Sequence, residues 1–236
     1  MKTAILAGGL AKRLGDLTRD TPKSLIPIAG RPFIDHQMAL LARNNCRQIV
    51  LCVGHLGHKI REYVGDGKKW GLEVEYSEDG LKAGPLGTGG ALRNALPLLG
   101  DTFFVTYGDS YLTEPWGDVL ESYPAPGGPA GPTTLFPTEG QWGANNVLYK
   151  NGKIIRYSKT PGDPEMKHID YGLLILTGRA FQTVEKTEFD LEELQQKLIT
   201  RGAMGAHECA QRFYEAGSAE GIKELEAKLE KEITRP

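Results

Sequence analysis

Residues 2–27 read KTAILAGGLAKRLGDLTRDTPKSLIP. The run up to Leu6 is apolar and strand-like. It passes at once into Gly8-Gly9, the basic pair Lys12-Arg13 and the step Pro22-Lys23. A strand that opens straight into a glycine-rich basic loop has two readings. It is a surface turn, or it is a place where backbone N–H groups face an anion. Glycines have no Cβ, so their amides can come close to a phosphate. Arg13 would add a forked donor, and Lys23 a point charge whose approach Pro22 stiffens. The glycine pair alone does not choose between the readings. The strand-then-loop order matters more, because ligands in open α/β sheets bind beyond the C-terminal ends of the strands.

The same order repeats through the first half. PFIDHQMALLARNN, 32–45, carries Phe33, Ile34, Met38, Leu41 and Ala42 at helical spacing. QIVLCVG, 48–54, is a continuous apolar run, as a strand buried on both faces shows. The pattern predicts a helix over 55–67, a strand over 72–77, a helix with a glycine-rich entry over 88–99 and a buried strand over 102–109. This alternation predicts an α/β fold, Rossmann-like and doubly wound, with a mostly parallel sheet flanked by helices.

The second half makes the sheet mixed. After a turn-rich connection over 123–132 come the short strand-like runs TTLFPT, NNVLYK and KIIRYSK, with Asn151-Gly152 as a hairpin turn. A strand follows over 169–177 and a helix over 190–202. The closing SAEGIKELEAKLEKE reads as a helix with Ser218 as N-cap and Ile222, Leu225, Leu229 and Ile233 on its apolar face. No repeat, low-complexity tract or linker divides the chain. Residues 1–236 therefore read as a single domain with halves 1–112 and 113–236.

Composition sets outer limits. Net charge is −2, from 28 Lys and Arg against 30 Asp and Glu, so no global basic surface points to nucleic acid or membrane. Cys46, Cys52 and Cys209 are scattered without CxxC spacing and read as free thiols of a reducing compartment. The opening MKTAILAGG is too short for a signal peptide or a membrane span. A cytoplasmic location is expected. Neither GxGxxG nor GxxxxGK[ST] occurs.

Taken whole, the opening string is more specific than its glycines. GG-x-A-x-R-L, then Pro-Lys, then G-R-P-F-I opening a helix, resembles the sugar-1-phosphate nucleotidyltransferases, or NDP-sugar pyrophosphorylases. That family's motif is LAGGxGxRLxPLTxxxPKxLxPVxGxPxI. Ala11 replaces its middle glycine, and Asp16 stands where Pro is common. Further segments follow in family order: PLGTGGAL at 85–92, VTYGDSYL at 105–112, YSKTPG at 157–162, IDYGLLIL at 169–176 and FYEAGSAEGIKE at 213–224. In wording the chain is nearest to heptose-1-phosphate guanylyltransferases and N-acetylmuramate-1-phosphate uridylyltransferases.

The resemblance implies nucleotide-sugar biosynthesis from a nucleoside triphosphate (GTP, UTP or CTP) and a sugar 1-phosphate, with Mg²⁺ as cofactor. It implies a nucleotide-binding half at 1–112 and a sugar-phosphate-binding half at 113–236. Leu6, Ala7, Gly8, Gly9, Arg13, Lys23, Gly87 and Thr88 would contact the nucleotide, with Arg13 and Lys23 as its catalytic cations. Asp109 and Glu215 would hold the metal. Asn145, Asn146, Lys159, Asp170 and Gly172 would face the sugar phosphate. Homo-oligomerisation is left open. Glu215 stands where the family usually has Asp, Asp170 where it often has Asn, and Ser158 and Thr160 flank Lys159 in an altered Glu-Lys-Pro segment.

Blander readings stand beside these. Asp109 could cap a turn, Glu215 could cap the last helix, Lys159 could be a solvated strand end, and Asp170 could pair with a cation. Trp142 and Tyr171 could stack on a sugar or pack in a core. His55 and His58 have HxxH spacing but lack companion ligands. A non-catalytic sugar-nucleotide-binding regulatory protein on the same fold is the alternative, although Arg13, Lys23 and Asp109 are all present. A Rossmann oxidoreductase fails for want of GxGxxG. A glycosyltransferase fails because Asp109-Ser110-Tyr111 lacks the second carboxylate of a DxD motif.

Overall fold

The computed structural model describes residues 1–9, 15, 20–78, 86–123, 130–138, 141–142, 144–158, 160 and 163–233. Among these residues the elements run β1 (Lys2–Leu6), β2 (Pro27–Ile28), β3 (Arg31–Pro32), α1 (Phe33–Arg43), β4 (Gln48–Val53), α2 (Gly57–Val64), β5 (Glu73–Glu78), α3 (Gly87–Leu99), β6 (Thr102–Tyr107) and β7 (Ser110–Leu112). They continue with α4 (Trp116–Glu121), β8 (Ala130–Pro137), β9 (Val147–Lys150), β10 (Lys153–Tyr157), β11 (His168–Thr177), α5 (Leu191–Thr200), β12 (Gly205–Glu208), β13 (Phe213–Glu215) and α6 (Ala219–Ile233).

The main sheet has the order β10-β9-β11-β6-β1-β4-β5, with β8 paired to β11 and β12 paired to β8. Strands β6, β1, β4 and β5 are mutually parallel, as crossovers through helices require. Strand β11 joins β6 antiparallel and makes the sheet mixed. The expected class, a mostly parallel mixed sheet flanked by helices, is the observed one.

Side chains alternate between two cores. Along β4, Val50 and Cys52 face the layer of α3 and α5, while Ile49, Leu51 and Val53 face that of α1 and α2. Ala4 and Ile5 of β1 divide in the same way, as do Leu174 and Ile175 of β11. Each fully buried Leu or Ile stabilises the fold by about 1.5–3 kcal/mol. A third cluster seats Leu225 and Leu229 of α6 against Ile28, Phe33 and Tyr111. That contact docks the last helix on β2 and the start of α1.

Local signals explain several joints. Asn151 and Gly152 both take positive φ, 53° and 75°, which suits the tight turn joining β9 to β10. Ser218 Oγ accepts the Gly221 N–H at 3.0 Å and so acts as the N-cap of α6. Sequence patterning did not anticipate β2, β3, β7, β12, β13 or α4. Most of these are two to four residues long, shorter than periodicity can resolve, and exist only through tertiary pairing. The six-residue α4 has Gly117 in its first turn, which masks its helical signal. No helix of the described residues is long and apolar enough to cross a membrane.

Candidate active site

The chain lays β1, β4 and β5 to one side and then returns past β1 to place β6. The strand order reverses there, so the C-terminal ends of β1 and β6 flank the crevice where such sheets bind ligands. Leu6 pairs with Tyr107 across it. The Gly108 N–H donates to the Leu6 carbonyl at 2.9 Å. A Cβ on Gly108 would lie 3.0 Å from that oxygen and 3.1 Å from Ala7 Cα, so a glycine lets the two loops touch. Ala7 donates its N–H to the Cys52 carbonyl at 2.9 Å. Leu6, Ala7 and Gly8 are half-buried and Gly9 is exposed. No described atom lies within 4 Å of a Cβ built on Gly9, so the described packing gives no steric reason for glycine there.

Just beyond this crevice, β13 pairs antiparallel with β7, with Glu215 opposite Ser110. The Ala216 N–H donates to the Asp109 carbonyl at 2.8 Å. This ribbon brings Glu215 beside Asp109 from more than a hundred residues away. Lys23 completes the group, its Nζ donating to Asp109 Oδ2. Pro22 holds extended backbone, φ −57° and ψ 143°, just before the 3-10 turn Lys23–Leu25 that presents this ammonium. A Cβ on Gly217 would collide with Glu215 Oε2 and sit 2.7 Å from Lys23 Nζ and 3.1 Å from Asp109 Oδ2. Two carboxylates and one ammonium therefore converge on a point that only a glycine leaves open. The Glu215 carboxylate also accepts the Gly217 N–H and the Ser218 hydroxyl. Glu215 thus braces the turn that leads into α6 while it stands beside Asp109.

Gln37 is a residue that sequence reasoning missed. It is 2% exposed, and its Nε2 donates to the carbonyls of Tyr107 at 2.8 Å and Ser110 at 3.0 Å. It clamps both sides of the Gly108-Asp109 turn. The signal was available: Gln37 is a polar residue within the apolar stripe of α1.

The sugar-side candidates form a second group. Asp170 donates its N–H to Asn146 Oδ1 at 2.8 Å, and its carboxylate accepts the Gly172 N–H at 3.0 Å and the Gln195 amide at 3.4 Å. Asn145 Oδ1 accepts the Thr138 hydroxyl. Gly172 takes φ 91°, and its Cβ position lies 3.3 Å from Ser110 Oγ and 3.4 Å from the Tyr107 ring. Tyr107 bridges the two groups. Burial raises its phenol well above the ordinary range, and the charges of Asp170 and then Asp109 add to the effect. Burial raises Tyr157 as well, with Asp170 adding to the effect by charge and hydrogen bonding.

The glycine-rich entry of α3 is set by packing against residues 187–190. Cβ atoms on Gly87 and Gly90 would lie 2.6 Å from the Phe189 carbonyl and 2.5 Å from the Thr187 carbonyl, and one on Gly89 would strike the Phe189 ring. The Gly89 and Gly90 N–H groups donate to the Phe189 carbonyl at 2.9 and 3.1 Å. The Thr88 hydroxyl donates to Asp190 at 3.2 Å and accepts the Leu191 N–H at 2.8 Å, so the starts of α3 and α5 are capped together. Tyr171 is a core residue and cannot stack on a sugar: it is fully buried, its hydroxyl accepts the Glu114 N–H at 2.8 Å, and Phe213 lies edge-on at 5.6 Å. Trp142 is exposed, with the Arg212 guanidinium 4.6 Å from its ring centre. His58 lies in the first turn of α2 and His55 just before it. Arg13 and Lys159 lie outside the described residues, as do 79–85 and 124–129.

With this geometry in hand, comparison with known proteins gives the class. The chain belongs to the nucleotidyl transferase family, whose model matches residues 2–141, more than half of it. It is 28% identical over 235 residues to the low-salt glycan biosynthesis nucleotidyltransferase Agl11 of Haloferax volcanii, covering 95% of this chain and 64% of that protein. It is 38% identical over 114 residues to the N-acetylmuramate alpha-1-phosphate uridylyltransferase of Neisseria meningitidis serogroup B, covering 48% of each. These matches thus span about half to two-thirds of the curated relatives' length. A crystal structure of a Bacillus anthracis protein described as a glucose-1-phosphate thymidylyltransferase, in complex with sucrose, superimposes with a TM-score of 0.84 over 97% of this chain and 94% of that one. At 23% identity that likeness is one of fold.

Proposed function

We propose that the chain is a sugar-1-phosphate nucleotidyltransferase that converts an NTP and a sugar 1-phosphate into an NDP-sugar and pyrophosphate. The observation that carries this reading is the convergence of Lys23, Asp109 and Glu215 beside Gly217, at the switch point of the sheet. A sugar-phosphate oxygen, already ionised at neutral pH, attacks the α-phosphorus in line. A new O–P bond forms as the bond to the pyrophosphate oxygen breaks, and its electron pair leaves with pyrophosphate. No general base is required. The obstacle is repulsion between two anions, so catalysis consists of positioning and charge neutralisation.

The chain's residues divide that work. The amides of Gly8 and Gly9, with Arg13, hold the leaving phosphates. Lys23 leaves Asp109 to neutralise charge on the transferring phosphoryl group. Asp109 and Glu215 offer the hard oxygens that suit Mg²⁺, and the cradle beside Gly217 supports that assignment. Bound there, Mg²⁺ would supply positive charge that offsets the repulsion between the two anions. Lys159 would hold the acceptor phosphate, while Asn145, Asn146 and Asp170 line the sugar side.

The test is pyrophosphate release from GTP, UTP, CTP and ATP, each against a panel of sugar 1-phosphates. Release that requires both substrates supports the transferase. Binding without release in every combination would favour a regulatory protein on the same fold.

A further inference from the structure

Three side chains that the proposed reaction does not use meet at the far end of the ribbon. Glu114 follows β7, His207 lies in β12, and Cys209 comes directly after it. One ligand atom from each lies within 4.8 Å of the others. The site is closed: the side chains of Glu114 and His207 are 6% and 15% exposed, and Cys209 is 2% exposed. Among the described residues His207 Nε2 is buried with no hydrogen-bond partner and stands 3.7 Å from Glu114 Oε1, beyond hydrogen-bonding reach. The remaining carboxylate oxygen of Glu114 accepts the Gln211 N–H at 2.9 Å. The Cys209 N–H donates to the Leu135 carbonyl at 2.7 Å, which anchors the thiol against β8. Buried polar atoms are nearly always paired. A cation would satisfy nitrogen, oxygen and sulfur together.

We propose that Glu114, His207 and Cys209 form a zinc site. Thiolate, imidazole and carboxylate together suit Zn²⁺, whereas Mg²⁺ takes oxygen. Ligand atoms about 2.0–2.3 Å from a tetrahedral zinc stand roughly 3.3–3.8 Å apart, and the Glu114–His207 distance already falls in that range. The fourth place falls to a water or to the second carboxylate oxygen. Zinc uptake would displace the Cys209 proton. The site is a positioning device. Strands β7 and β13 carry Asp109 and Glu215 at one end, while Glu114 and Cys209 flank the same ribbon at the other. An ion there ties the two outer ends and fixes the register that sets Glu215 beside Asp109.

The inference stands whether or not the chain transfers nucleotides, and its test needs no turnover. The full chain is treated with chelator and titrated with Co²⁺. A thiolate-to-cobalt charge-transfer band should grow to about one equivalent and vanish when Zn²⁺ is added. The band should be lost in Cys209→Ser and strongly weakened in His207→Gln. Cobalt held by the oxygens of Asp109 and Glu215 gives no such band. A wild-type chain without the band, or a band unchanged in Cys209→Ser, would overturn the proposal. If a variant does not fold, X-ray absorption at the zinc edge of the wild type decides. A shell with one sulfur and an imidazole supports the site, and a shell without sulfur overturns it.

Discussion

The ammonium of Lys23 and the carboxylate of Asp109 form an ion pair across 86 residues of sequence, at the mouth of the crevice between β1 and β6. Both side chains are largely covered, at 17% and 24% exposure. The desolvation cost of a pair so covered offsets much of its attraction. Its position matters more, because an incoming anion would meet a cation already held in place by one partner.

Lys23→Ala should therefore lower kcat by about 10²–10³ while weakening nucleotide binding far less, since it removes a charge directed at the transferring phosphoryl group. Steady-state kinetics with a nucleotide-binding titration separate the two. Near wild-type turnover would reduce Pro22-Lys23 to a feature of the loop.

Gly217→Ala tests the convergence by geometry alone. The added methyl would have to displace Glu215 Oε2, Lys23 Nζ and Asp109 Oδ2. These are ends of flexible side chains, so the fold should tolerate the change. We expect kcat to fall by about 10², the penalty of an ångström-scale misplacement, with Tm nearly unchanged. An active variant would show that the three groups do not act together.

Asp170→Asn addresses sugar reading. The carboxylate is bound to the Gly172 N–H and Gln195, so a purely structural role would alter both substrates' kinetics alike. The sugar-side assignment expects a changed ranking of sugar 1-phosphates with a smaller effect on the KM for NTP. The measurement is kcat/KM across the sugar panel.

His36 gives a pH signature. Burial lowers its pKa from 6.5, only partly offset by the hydrogen bond to the Ile28 carbonyl at 2.8 Å. Below about pH 6.5 the unfolded chain takes up a proton that the folded chain resists. Stability should fall on acidification through that window, by at most about 1.4 kcal/mol per pH unit. His36→Gln keeps a donor and cannot titrate. The Tm advantage of wild type over this variant should shrink from pH 7 to below 6, and a constant difference would contradict the assignment.

Much of this was legible in the sequence, for definable reasons. The doubly wound half was readable because β4 and β6 are long apolar runs, and the β9–β10 hairpin because Asn151-Gly152 suits positive φ at both positions. Asp109 and Glu215 could be named from motif wording, but no local pattern contains their meeting. That depends on a three-residue strand with half-buried side chains, pairing with another of equal length. Glu114, His207 and Cys209 escaped for the same reason, being scattered over two distant segments. The glycines of α3 show the opposite limit. Their wording suggested a nucleotide, while the described contacts that require them are those with Phe189 and Thr187.

The central claim is that Lys23, Asp109 and Glu215 make one metal-assisted catalytic centre. A Mg²⁺ titration of activity in wild type, Asp109→Asn, Glu215→Gln and Glu215→Asp tests it most directly. We expect Asp109→Asn and Glu215→Gln each to raise the Mg²⁺ concentration needed for half activity, and Glu215→Asp, which keeps the charge, to raise it less. An unchanged midpoint in Glu215→Gln, with only a modest loss of Tm, would leave Glu215 as a brace of the turn before the last helix and contradict the shared centre.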